Sequence, residues 1–176
     1  MRDEVEEENQ QLLRRWNNFR KAAEYVAAAF SEVPGVEKVA LFGSAALPLF
    51  KERSRYPDLR WSGAVFWHEC KDVDLAVWVS DLGCLKAMQR ARGKAVGRLV
   101  KDLDIGVAHH QVDVFVIEPG TDRYLGRLCT YYDCPKGKPA CLAVGCGKTL
   151  YLQQHDDFIF EVNALGPDRS TVLFKR

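Results

Sequence analysis

The sequence predicts one layered α/β (α+β) domain over residues 1–120, with a cysteine-rich C-terminal extension over 121–176. Three observations carry this. An apolar stripe at helical spacing fills the opening segment. Two later segments alternate apolar and polar residues as half-buried strands do. A helix-forming stretch of about twenty residues separates those two segments.

Leu12, Trp16, Phe19, Ala23, Val26 and Phe30 recur at steps of four and three, which places them on one face of a helix. Acidic residues crowd its start (Asp3, Glu4, Glu6, Glu7, Glu8), where the helix dipole favours negative charge, and Pro34-Gly35 ends it. Val39-Ala40-Leu41-Phe42 reads as a buried strand running into a tight Gly43-Ser44 turn, with a helical Ala45-Ala46-Leu47 beyond. Residues 51–70 fit neither period and read as an inserted loop or small hairpin, with Trp61, Phe66 and Trp67 available to cover something. In the segment Asp72 to Val79, Val73, Leu75, Val77 and Val79 share one face and Asp72 and Asp74 the other. A helix is expected over 82–103, rich in Leu, Lys, Arg and Ala, and a second strand over 111–117, halted by Pro119-Gly120. Tyr151 to Val162 is compatible with a closing strand or a helix.

With 25 basic and 24 acidic residues, the formal net charge of +1 lacks the broad positive field of a protein that coats nucleic acid. The first residues are acidic and polar, unlike a secretory signal, and no run approaches 18 apolar residues. A cytoplasmic protein with no membrane partner is the expectation, and in that compartment clustered thiols favour metal over disulfides.

Three carboxylates interrupt otherwise apolar strands, a costly placement unless something positive compensates them. Asp72 and Asp74 stand two apart on one strand, so their side chains point the same way at about 7 Å. A divalent cation relieves such repulsion, and Mg²⁺ prefers oxygen ligands of this kind. Asp113, on the next strand, could complete a cluster for two ions, the arrangement that performs in-line displacement at phosphorus. Gly43-Ser44, at a strand end and an expected helix start, offers backbone N–H groups, a hydroxyl and a helix dipole to phosphates. Spacing alone leaves a structural reading open, since Asp72 also suits a turn or cap. Asp102, Asp104, His109 and His110 are expected to be surface residues or bystanders.

Leu41-Phe42-Gly43-Ser44, then Asp72-Val73-Asp74-Leu75, then Val112-Asp113-Val114-Phe115 together resemble the polymerase-beta-type nucleotidyltransferase superfamily over residues 25–118. The resemblance implies a nucleotidyltransferase fold, a small mixed sheet flanked by helices. It implies that Gly43 and Ser44 bind nucleotide phosphates, that Asp72, Asp74 and Asp113 ligate two Mg²⁺ ions, and that Asp113 is the base for an acceptor hydroxyl. The donor would be an NTP such as ATP, and pyrophosphate the second product. The 27 residues from Ala45 to Lys71 depart from the pattern, being about twice the family's usual separation.

Cys129, Cys134, Cys141 and Cys146 form two pairs of equal internal spacing among glycines, which reads as a structural four-thiolate zinc site bracing the extension, with His155 as a substitute ligand. Free thiols and a disulfide pair are the alternatives. Cys70 and Cys84 read as ordinary buried residues. Gly145-Cys146-Gly147-Lys148-Thr149 ends like a P-loop, but Leu142 stands where the first glycine is required. The expected function is Mg²⁺-dependent transfer of a nucleoside monophosphate to a hydroxyl of a small molecule or protein rather than of a long nucleic acid. The alternative is a non-catalytic nucleotide-binding or interaction module with a zinc knuckle.

Overall fold

Helix α1 (Arg2–Ser31) opens the chain, and the four–three spacing holds: Phe19, Ala23, Val26 and Phe30 are buried, with Trp16 half-buried against the same core. This computed structural model describes residues 2–49, 67, 69–131, 146–154 and 158–176. The expected hairpin with Trp61 and Phe66, together with Cys134, Cys141 and His155, lies outside the described residues. Trp67 is half-buried, packs on the main core and donates its backbone N–H to Asn9 Oδ1 at 3.3 Å.

Beyond Pro34, Gly35 takes a left-handed φ of +91° and the chain turns into strand β1 (Val36–Phe42). Strand β2 is Val73–Val79, so Asp72 precedes it. Asp81 accepts from the N–H of Gly83 at 2.8 Å, starting a 3₁₀ turn (Leu82–Cys84) that leads into helix α2 (Leu85–Leu103). Asp104 ends α2 in the left-handed region at φ +55°. Strands β3 (Val112–Ile117), β4 (Tyr124–Leu128), β5 (Leu152–Gln153) and β6 (Thr171–Lys175) follow.

All six strands form one mixed sheet in the order β5-β4-β3-β2-β1-β6. Among the described strands only β2 and β3 run parallel, which requires a crossover, and α2 supplies it. The last third of the chain thus contributes three strands to this sheet, β6 beside β1 and β4 beside β3. Of the segment Tyr151 to Val162, Leu152–Gln153 form a short strand and, among the described residues, 158–161 run without regular structure into a 3₁₀ turn (Val162–Leu165); residues 155–157 lie outside the described residues.

The two faces of the sheet differ. Val39, Leu41, Val73, Leu75, Val77, Val112, Val114 and Val116 face the helices and form the main core. The opposite parity, Ala40, Phe42, Ala76, Trp78, Phe115 and Ile117, forms a smaller apolar layer covered by Tyr124, Phe160, Ala164 and Leu165. Cys70 and Cys84 are buried, as expected of them. Arg92 is only 1% exposed in the α2 stripe and donates to the carbonyls of Val112 at 3.2 Å and Cys129 at 2.7 Å, tying β3 to the end of β4. Among the described residues, no helix is long and apolar enough to cross a membrane.

Candidate functional site

Strand register brings the acidic residues together. Asp74 and Asp113 are aligned partners on the parallel strands β2 and β3. Both share the parity of Ala76, Trp78, Phe115 and Ile117, so they project on the face away from the helices, at the end where both strands begin. Asp72, exposed just before β2, lies within electrostatic reach of both.

The antiparallel neighbour adds the turn. Phe42, the last residue of β1, is opposite Asp74, so the chain leaves the sheet beside that carboxylate. Gly43 there has φ +71°, and a Cβ on it would collide with the Asp74 carboxylate. Only glycine lets the backbone approach so closely. The turn is fastened from behind: Cys70 Sγ donates to the carbonyl of Ser44 at 3.4 Å, Arg20 to that of Ala45 at 3.4 Å, and the Trp16 indole to that of Leu47 at 3.0 Å.

One feature expected of the turn is absent. Gly43–Ala45 is a single 3₁₀ turn, closed by the Ala46 N–H on the Gly43 carbonyl at 3.2 Å, and no α-helix follows over Ala45-Ala46-Leu47. Pro48 explains this, because a following proline disfavours helical backbone at Leu47. Backbone N–H groups and the Ser44 hydroxyl are therefore what this turn offers, without a helix dipole.

The carboxylates are held under electrostatic tension. Burial, then the neighbouring Asp113 and Asp72, push the Asp74 carboxyl up to about 6, against a smaller opposing pull from Arg127. Burial, and to a lesser degree Asp72, likewise push Asp113 up, while Arg127, Arg92 and His110 draw it back. His110 thus stands near the site, though it and His109 are exposed in a 3₁₀ turn (His109–Gln111). Asp102 and Asp104 are exposed, with Asp102 accepting from the Tyr25 hydroxyl at 3.2 Å.

Sequence reasoning missed Arg127. It lies opposite Phe115 across β3 and β4, approaches Asp113 Oδ2 at 3.4 Å, and lies over the rings of Phe115 and Phe158 at 4.8 and 5.8 Å. Phe42, Phe115, Tyr124, Phe158 and Phe160 form an aromatic bank beside the carboxylates, with Tyr124 stacked on Phe160 at 5.4 Å. Buried within it, the Tyr124 hydroxyl and Arg127 Nε find no hydrogen-bond partner among the described residues. The trace in the sequence was a lone cation, Arg127, within the short run Tyr124 to Leu128.

The donor set suits a hard divalent cation: three carboxylates at one sheet end, Asp74 and Asp113 both raised by burial and by acidic neighbours, beside a glycine whose missing side chain lets the Asp74 carboxylate lie against the backbone. As they stand, no group of three or more His, Cys, Asp or Glu among the described residues is drawn closely enough to grip an ion. Of the expected zinc ligands, Cys129 is buried in the main core at the end of β4, and Cys146 bridges to Gln153 on the far side of β5. No family model, curated protein or solved structure matches the chain.

Proposed function

We propose that this chain is a metal-dependent nucleotidyltransferase that moves a nucleoside monophosphate from an NTP to a hydroxyl acceptor. One observation carries the reading: Asp74 and Asp113 are side by side on parallel strands, and the Gly43 backbone is packed against the Asp74 carboxylate. A turn able to receive phosphates and a carboxylate pair able to bind cations are thereby adjacent, although the residues involved are far apart in the chain. The sheet topology, with β1 antiparallel to β2 and β2 parallel to β3, is compatible with the nucleotidyltransferase fold that the sequence motifs resemble.

Asp72, Asp74 and Asp113 would hold two Mg²⁺ ions, which when bound polarise the attacking hydroxyl and steady the leaving pyrophosphate. The Gly43 and Ser44 backbone and the Ser44 hydroxyl receive the triphosphate and align its α-phosphorus. Asp113, on the strand beside Asp74, takes the acceptor's proton. A bond forms from the acceptor oxygen to the α-phosphorus, the bond to the β-phosphate oxygen breaks, and the electron pair leaves with pyrophosphate.

A specific observation favours a second reading, a nucleotide-binding module without turnover. Arg127 is paired with Asp113 and supplies from within the chain some of the positive charge that a cation would bring. Incubating the protein with Mg²⁺ and NTPs labelled at the α-phosphate, in the presence of a cell extract, separates the two. Covalent label on an acceptor, lost in Asp113→Asn, supports the transferase. Retention of the NTP without transfer supports the module.

A further inference from the structure

A cavity of about 670 Å³ lies at the same end of the sheet, on the helix side, between α1 and the segments that enter β2 and β3. Its polar lining comprises Arg14, Arg15 and Lys71 with the amides of Gln11, Asn18 and Gln111, and no Asp or Glu is among its described lining residues. Arg15 is engaged by Glu69 at 2.6 Å, whereas no ion pair among the described residues engages Arg14 or Lys71. The wall is fixed: Gln111 accepts from the Ala108 N–H at 3.0 Å and donates to the Lys71 carbonyl at 3.5 Å. A chain of nearly balanced net charge has therefore gathered three cations and three amides around one concavity.

We propose that this cavity binds a small phosphorylated polyol, and that this compound is the hydroxyl acceptor. The assignment as acceptor rests on the nucleotidyltransferase reading; the binding does not. Arg14 and Lys71 suit a phosphate group, which takes charge-assisted hydrogen bonds, and the Gln11 and Asn18 amides, which both donate and accept, suit neighbouring hydroxyls. The volume is that of a small-molecule site rather than of a groove for a long polymer. Position supplies the link to chemistry. Lys71 directly precedes Asp72, and Gln111 stands two residues before Asp113, so a ligand held here lies at the sheet end that carries the carboxylates, on the opposite face, and reaches them past the starts of β2 and β3.

Calorimetric titration in EDTA tests the site without metal or NTP, using ribose 5-phosphate and glucose 6-phosphate as probes and inorganic phosphate as the comparison. The proposal expects one of the sugar phosphates to bind, more tightly than inorganic phosphate. Binding should weaken at least tenfold in Lys71→Glu and in Arg14→Gln, and be unchanged in Lys148→Glu, an exposed residue that is not among those lining the cavity. Lys71→Arg serves as a second variant that keeps the charge and should bind. No binding at millimolar probe overturns the proposal, as does equal weakening by Lys148→Glu. Affinity for inorganic phosphate equal to that for both sugar phosphates overturns the polyol assignment. Binding that never leads to nucleotidyl transfer onto the probe leaves the cavity as a ligand site and overturns its role as acceptor site. NTP turnover without any binding in the cavity does the reverse, sparing the function and removing this proposal.

Discussion

Replacing Asp74 with Asn should stabilise the metal-free protein. Asp74 has its carboxyl raised from 3.8 to about 6 by burial and by its acidic neighbours. Between those values the folded chain holds a proton that the unfolded chain has released. Stability therefore falls as pH rises through this window, and stays reduced above it. A shift of about two units corresponds to about 3 kcal/mol at pH 8, an upper bound for what a neutral isostere recovers. At pH 4 the native carboxyl is already protonated and the gain shrinks to about 0.5 kcal/mol. Urea unfolding in EDTA, followed at both pH values for the parent and Asp74→Asn, measures the difference. A gain of about 1–3 kcal/mol at pH 8 that nearly disappears at pH 4 is the expected result. A variant that is destabilised at pH 8, or equally stabilised at both pH values, would refute the claim that Asp74 is retained against its own electrostatic cost.

Three further outcomes follow from particular contacts. Gly43→Ala puts a side chain into a left-handed position and into the Asp74 carboxylate, so it should cost about 2 kcal/mol or more in urea unfolding and eliminate nucleotide binding. Arg92→Leu leaves the carbonyls of Val112 and Cys129 without their buried donor and should cost about 3 kcal/mol, lowering the thermal midpoint by several degrees while leaving secondary structure intact. Purified protein analysed for metal content should contain one zinc per chain if Cys129, Cys134, Cys141 and Cys146 form the expected site; less than a tenth of a zinc, unchanged by substituting Cys134, would contradict it.

The elements that sequence made legible are those whose pattern is local. The four–three stripe of α1 and the alternations around Asp74 and Asp113 each record which face meets the core, so they survive translation into structure. Asp74 and Asp113 were legible because an acid in a valine-rich strand has few structural explanations. What was missed is non-local. Strand β6 follows a 3₁₀ turn and pairs with β1, more than a hundred residues earlier, and its half-buried and exposed positions (Thr171 to Lys175) follow no clean alternation. The pairing of Arg127 with Asp113 depends on the register between β3 and β4, which no local period encodes. The helix expected after Ser44 failed for a local reason that could have been weighed: Pro48 acts on Leu47 more strongly than two alanines favour helix. Arg92 also left a trace, a lone cation at a core position of the α2 stripe between Met88 and Leu99.

The most direct test of the central claim is pyrophosphate release from each of the four NTPs in the presence of Mg²⁺ and an acceptor source, comparing the parent chain with Asp74→Ala. The transferase account predicts release by the parent with at least one NTP, and loss of about a hundredfold or more in the variant, because a charge that stabilises the transition state is gone. Equal release by both proteins, or none by either under conditions where the parent binds the Mg²⁺–NTP complex, would contradict it.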